Sequence, residues 1–147
     1  MYLLDTNHAS SLLHSDDTVD GTKLIKRIAQ YNNPRLCLPD IVVMELTKLY
    51  SDRYYKRKDY RYKSTALEHL LQLHTFTASF QVIHFDEASN SAYSVLREAY
   101  AQPKWKESKH DDLRIAAIAM VHGITLLTAN VKDFQMIPGL KIENWLE

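Results

Sequence analysis

Four acidic residues stand out for the company they keep: Asp5, Glu45, Asp112 and Asp133. Asp5 ends the apolar run Met1-Tyr2-Leu3-Leu4 and is followed by Thr6 and Asn7. Such a run reads as a buried strand, and the residues after it as a helix start. An acid there lies where open α/β sheets bind ligands, outside the carboxyl ends of the strands. Asp and Thr are also common helix caps, so local sequence leaves Asp5 and Thr6 open between capping and metal ligation. Glu45 is four residues from both Ile41 and Leu49, on a helix predicted to open at Pro39-Asp40 with Asp40 as its N-cap. It therefore shares their apolar face. Asp112 precedes Ile115, Ala116 and Ala119 by helical spacings, which puts it on a packed face. Asp111 lies about 100° around that helix and reads as the cap. Asp133 follows a strand expected from Ile124 to Leu127.

Carboxylates brought together repel. Two of them about 4 Å apart cost about 4 kcal/mol at an effective dielectric constant of about 20. A few such pairs would cancel most of the roughly 5–15 kcal/mol that holds a domain folded. Either some of the acids carry protons or a cation sits among them. Oxygen-only ligation selects a hard ion, Mg²⁺ or Mn²⁺. Such an ion lowers the pKa of bound water and stabilises charge on a phosphodiester, so the expected chemistry is metal-dependent phosphodiester hydrolysis.

The elements that must position these acids alternate in type. Strands are expected at Leu3-Leu4, from Arg35 to Leu38, from Gln81 to Phe85, from Ile124 to Leu127 and from Leu140 to Ile142. Helices are expected from Asn7 to Leu13, Asp20 to Tyr31, Asp40 onward, Thr65 to Phe80, Glu87 to Tyr100 with Asp86 as cap, and Asp111 to His122, where Gly123 ends the helix. Ser15-Asp16-Asp17 and Asn32-Asn33-Pro34 read as breaks, Gln102 to His110 as a loop, and Lys132-Asp133-Phe134 as one helical turn. Alternation of this kind indicates an α/β fold with a mainly parallel central sheet flanked by helices.

At 147 residues the chain suits a single domain, 1–147, with one core. It is formally neutral, so any nucleic-acid binding needs a local patch. Ser51 to Lys63 supplies one: Arg53, Lys56, Arg57, Lys58, Arg61 and Lys63 against Asp52 and Asp59, with Tyr50, Tyr54, Tyr55, Tyr60 and Tyr62 interleaved. Such residues hold phosphates and stack on bases, and they equally suit a protein interface or a solvated helix pair. Arg53, Lys56, Arg57 and Arg61 are the candidate contacts to RNA or to a partner, within a basic, Tyr-rich helical region at 51–80. One cysteine, Cys37, excludes an internal disulfide and a thiolate zinc cage; it reads as a small buried hydrophobe. The N-terminus lacks a basic region and its apolar run is too short for a signal peptide. No apolar stretch approaches the roughly 20 residues of a membrane span. The expected compartment is the cytoplasm. No His-x-x-x-His pair and no glycine-rich phosphate loop occurs, and Trp145 reads as packing.

Several segments together resemble a PIN-domain ribonuclease, most closely the VapC-type toxins of bacterial type II toxin–antitoxin pairs. They are Leu4-Asp5-Thr6-Asn7; Leu38-Pro39 with Val43-Met44-Glu45-Leu46; Asp112-Leu113-Arg114-Ile115-Ala116-Ala117; Leu127-Thr128-Ala129-Asn130-Val131-Lys132-Asp133-Phe134; and the closing run from Ile137 to Trp145. The resemblance implies a single PIN-like domain, Mg²⁺- or Mn²⁺-dependent cleavage of RNA, inhibition by a cognate antitoxin, and a homodimer. It implies Asp5 and Asp112 as primary metal ligands, Glu45 as orienting a metal-bound water or ligating through it, and Asp133 as completing the cluster. Thr6, Asn7 and Thr128 match small polar supporting positions. Two departures stand out. Trp105 to His110 lacks the glycine that often precedes the third acid, and Ser51 to Phe80, the region that often receives antitoxin, matches only in pattern. Alternatives are a catalytically silent module acting in an antitoxin–DNA regulatory complex, and cleavage of DNA by the same chemistry. Four intact acids favour an enzyme over a silent module.

Overall fold

The computed structural model describes residues 1–15, 18–32 and 34–147. Its elements are β1 (Tyr2–Leu4), α1 (Thr6–Leu13), α2 (Val19–Gln30), β2 (Leu36–Pro39), α3 (Asp40–Lys56), α4 (Tyr60–Ala78), β3 (Gln81–Ile83), α5 (Glu87–Tyr100), α6 (Glu107–Val121), β4 (Thr125–Leu127), α7 (Val131–Phe134) and β5 (Ile142–Glu143). The breaks expected at Ser15-Asp16-Asp17 and Asn32-Asn33-Pro34 fall partly outside the described residues.

The strands form one sheet in the order β3-β2-β1-β4-β5, and every neighbouring pair is parallel. The expected α/β fold is therefore the observed one. Leu3, Leu4, Cys37, Leu38, Leu126 and Leu127 are buried, as apolar runs must be in a parallel sheet covered on both faces. Cys37 is part of that core and free. The chain builds outward from β1 through β2 to β3, then returns to add β4 and β5 on the other side. This reversal makes β1 and β4 neighbours at a switch point, where the loops leaving two adjacent strands diverge and open a crevice.

One helix is held on nearly all sides. In α6, Leu113, Ile115, Ala116, Ala117, Ile118 and Ala119 are all buried, and a helix apolar around its circumference belongs in a core. Gly123 follows it at φ +62°, the left-handed conformation that ends a helix and turns the chain into β4. At the C-terminus Trp145 is buried, with its ring 4.6 Å from Tyr2 and 4.5 Å from Tyr31, so packing is its role as expected.

Several expectations need correction. Pro39, not Asp40, is the N-cap of α3; Asp40 lies in the first turn, where its Oδ2 accepts from the Phe85 amide at 3.0 Å and ties α3 to the exit of β3. The loop expected at Gln102–His110 ends early, because α6 begins at Glu107. The last strand is Ile142–Glu143 rather than Leu140 to Ile142, since Leu140 is held in the turn by its amide bond to the Ile137 carbonyl. The region 51–80 is helical but divided: α3 ends at Lys56 and α4 starts at Tyr60, capped by Asp59.

Candidate active site

Asp5 is the first residue after β1, and its amide donates to the Leu127 carbonyl of β4 at 3.0 Å, which fixes it at the switch point. It caps α1, and its Oδ1 accepts from the His8 amide at 2.9 Å. The His8 ring is fully buried; its Nδ1 lies 3.0 Å from the same Oδ1, and its Nε2 accepts from the Trp145 amide at 3.2 Å. With Nε2 an acceptor, the ring proton is on Nδ1 and is donated to Asp5. The capping reading of Asp5 therefore holds, and both contacts use one carboxylate oxygen.

Glu45 projects from α3 toward the first residue of α1: Thr6 Oγ1 donates to Glu45 Oε2. Burial pushes the Glu45 pKa above its ordinary value. The Thr6 bond opposes this, while the charges of Asp111 and Asp5 push it further up. Asp112, near the start of α6, is raised to about 6, chiefly by burial, with Lys109 opposing and the charges of Asp133 and Glu45 adding to the rise. Lys109 Nζ stands 3.5 Å from Asp112 Oδ2 and also bonds Asp133 Oδ2. Asp133, on α7 beyond β4, takes a further bond from Asn130 Nδ2. Its pKa is lowered, first by the Lys109 bond and against a smaller effect of burial. The same ammonium thus dominates Asp133 but only partly offsets the desolvation of Asp112.

The acids form a line of interacting neighbours, Asp5 to Glu45 to Asp112 to Asp133, across the ends of β1, α3, α6 and β4. Among the described residues no group of three or more His, Cys, Asp or Glu side chains is placed so that it could hold a metal ion. The chemistry of the donors nevertheless fits a hard cation: all are carboxylates, two are pushed toward protonation by burial and mutual charge, and one cation from the chain, Lys109, already lies between two of them.

The supporting residues divide. Thr6 bonds an acid, and buried Thr128 accepts from the Asn130 amide at 2.9 Å, shaping the loop that presents Asp133. Asn7 is exposed on α1 and hydrogen-bonds none of the four acids. Asp111 is not a cap: it is buried inside α6 and paired with Arg114 Nη1 at 2.6 Å, one turn along the helix. Arg53, Lys56, Arg57 and Arg61 lie apart from the acids, at the far end of α3 and the start of α4. Sequence reasoning missed Lys109, Asn130 and His8. Lys109 and Asn130 each stand three residues before an acid they bond, a helical spacing that becomes visible for Lys109 once α6 is started at Glu107 and for Asn130 once it is placed at the N-cap of α7.

Comparison with known proteins bears on the family and the fold. The family model of the PIN domain matches residues 2–140. Ribonuclease VapC2 from Rickettsia felis is 29% identical over 147 residues, spanning 99% of this chain and 98% of the relative. The tRNA(fMet)-specific endonuclease VapC from Salmonella typhimurium is 26% identical over 145 residues, spanning 98% of this chain and 97% of that one. Among solved structures, VapBC2 from Rickettsia felis bound to a DNA fragment from their promoter is similar with a TM-score of 0.69 and 27% identity, covering 98% of each chain. A match that takes in both sheet halves and all four acids leaves one conclusion: this chain belongs to the PIN domain family.

Proposed function

We propose that this protein is a divalent-metal-dependent endoribonuclease, the toxin of a toxin–antitoxin pair, which hydrolyses RNA phosphodiester bonds at the Asp5–Glu45–Asp112–Asp133 line. The observation that carries the reading is that line itself: four carboxylates from separate elements, gathered at the switch point of a parallel sheet, with Glu45 and Asp112 pushed toward protonation by burial. Full-length similarity to chains named as ribonucleases supports it. The likeness to a VapBC complex supports a cognate antitoxin as partner; a homodimer acting in the cytoplasm belongs to the same proposal.

Asp5 and Asp112 would hold the ion, Mg²⁺ or Mn²⁺, with Glu45 and Asp133 at its flanks. Bound there, the ion supplies charge stabilisation at the phosphate and a more acidic water. His8 and the α1 amide fix one oxygen of Asp5 and leave the other for ligation. Thr6 orients Glu45, a carboxylate that burial makes more basic, toward an attacking water. Lys109, released from its acids, is placed to meet phosphate oxygens. A DNA backbone presents the same phosphodiester, so RNA preference must come from surfaces outside the acidic line.

Induced expression in a bacterial host tests the toxin reading. Growth arrest with wild type and normal growth with an equally abundant, folded Asp112→Asn variant is the expected result. Arrest by both variants alike would remove the acids from the mechanism.

A further inference from the structure

The residues left over by the acidic line gather around a cavity of about 740 Å³ between the C-terminal half of α3 and the first turns of α4. Arg53, Lys56, Arg57 and Arg61 surround it, Tyr62 forms part of its wall, and Leu49, Ala66 and His69 line its less polar parts. The segment from Ser51 to Lys63 carries a surplus of four positive charges in a chain that is neutral overall. The cavity's two acids are already engaged. Asp52 pairs with Lys56 at 3.4 Å, and Asp59 caps α4 by accepting from the Arg61 amide at 2.8 Å. The arginines remain for an outside anion, two of them placed over rings: the Arg57 guanidinium carbon is 4.6 Å from the centre of Tyr62, and that of Arg53 is 5.4 Å from that of Tyr50. The His69 ring packs 5.1 Å from Tyr50, and its buried Nδ1 has no hydrogen-bond partner.

The cavity's position relates it to the acids. Glu45, Leu49, Arg53 and Lys56 recur every three or four residues, so one face of α3 carries both the Glu45 carboxyl and the cavity wall. At 1.5 Å per residue, Arg53 and Lys56 are about 12 and about 16 Å along the helix from Glu45. That is the span of a few nucleotides of single strand.

On the ribonuclease reading above, we propose that this cavity binds the single-stranded RNA flanking the cleaved bond, with a base against Tyr62 and neighbouring phosphates on Arg57 and Arg61. A row of cations along one helix face matches a polyanion of regular spacing better than it matches isolated carboxylates on a peptide. Tyrosine rings and guanidinium groups side by side offer π surfaces that tolerate any base. The site selects single strands over duplexes, because only unpaired bases can turn into it.

The test is fluorescence anisotropy of a labelled, mixed-sequence single-stranded RNA in EDTA, across a salt series, with cleavage of the same RNA in Mn²⁺ measured alongside. The proteins are wild type, the double variant Arg57→Gln/Arg61→Gln, and Tyr62→Ala; circular dichroism checks that each is folded. The arginine pair is expected to weaken binding and to flatten the slope of log affinity against log salt by about 1.4, the value for two lost phosphate contacts on a single strand. Tyr62→Ala is expected to weaken binding about ten-fold with the slope unchanged. If folded variants bind as tightly as a wild type that does cleave, the cavity proposal falls and the ribonuclease reading stands. A wild type that neither binds nor cleaves overturns both. If an acidic peptide loses affinity in both variants while RNA does not, the cavity is a protein interface and the proposal is wrong.

Discussion

At the scale of single residues, the acids of this site are costly to keep charged, and that cost can be measured. Asp112 has a folded pKa of about 6, above its unfolded value. The folded state therefore binds more protons than the unfolded state between about pH 4 and pH 6. The stability from this group is full below that window and is lost as pH rises through it. Glu45, also raised, acts in the same direction. Asp133 is lowered, so its contribution is present above its unfolded pKa and is lost as pH falls through the folded one. Metal-free protein should thus melt at a higher temperature at pH 5 than at pH 7. Asp112→Asn should stabilise the pH 7 state by roughly 1–2 kcal/mol, after discounting for the solvent that reaches this side chain, and should shrink the pH difference. Thermal melts in EDTA at the two pH values check both. Lys109→Met should have two opposite effects, read in the same melts. Without metal it should cost about 0.2–1 kcal/mol, the range for a solvent-accessible ion pair. With Mn²⁺ it should gain more stability than wild type does, because no tethered ammonium has to leave.

At the scale of elements, the legible features were those that depend on a local period or a local cap. The apolar run before Asp5 and the Asp86 cap stand as read, whereas of the expected Ile41–Glu45–Leu49 face only Ile41 is buried: Leu49 is exposed, and α3 packs through Ile41, Val42, Leu46 and Tyr50. Where reading failed, a distant or competing partner decided. Asp40 sits beside a strong cap position, but the Phe85 amide, 45 residues away, takes its carboxylate. Asp111 looked like a cap until Arg114 claimed it and α6 extended one turn back to Glu107. His8 stands three residues after Asp5, a spacing as local as that of Lys109 to Asp112, but its other partner, Trp145, lies at the far end of the sequence and left no local signal. Gly21 was equally silent. A Cβ there would stand 2.4 Å from Ser15 Cα and 2.6 Å from the Ser11 carbonyl, so α2 packs on the end of α1 only through a glycine. Gly21→Ala should destabilise the fold by about 1–3 kcal/mol, as overpacking does, which denaturant titration will show as a lower midpoint with an unchanged slope.

At the scale of the whole molecule, the order β3-β2-β1-β4-β5 does what no single motif can: it brings residues 5, 45, 112 and 133 to one edge of the sheet. The same α3 that carries Glu45 to the acids lines the basic cavity at its other end, so the proposed chemistry and the proposed RNA site share one helix. No helix among the described residues is long and apolar enough to cross a membrane. The central claim is that the acidic line cuts RNA with the help of a divalent ion. The most direct measurement is cleavage of a cellular RNA pool by purified, antitoxin-free protein in Mg²⁺, Mn²⁺ or EDTA, beside Asp112→Asn. Discrete fragments that require the ion and vanish in the variant are the predicted result. Cleavage that persists both in EDTA and in Asp112→Asn would contradict the account.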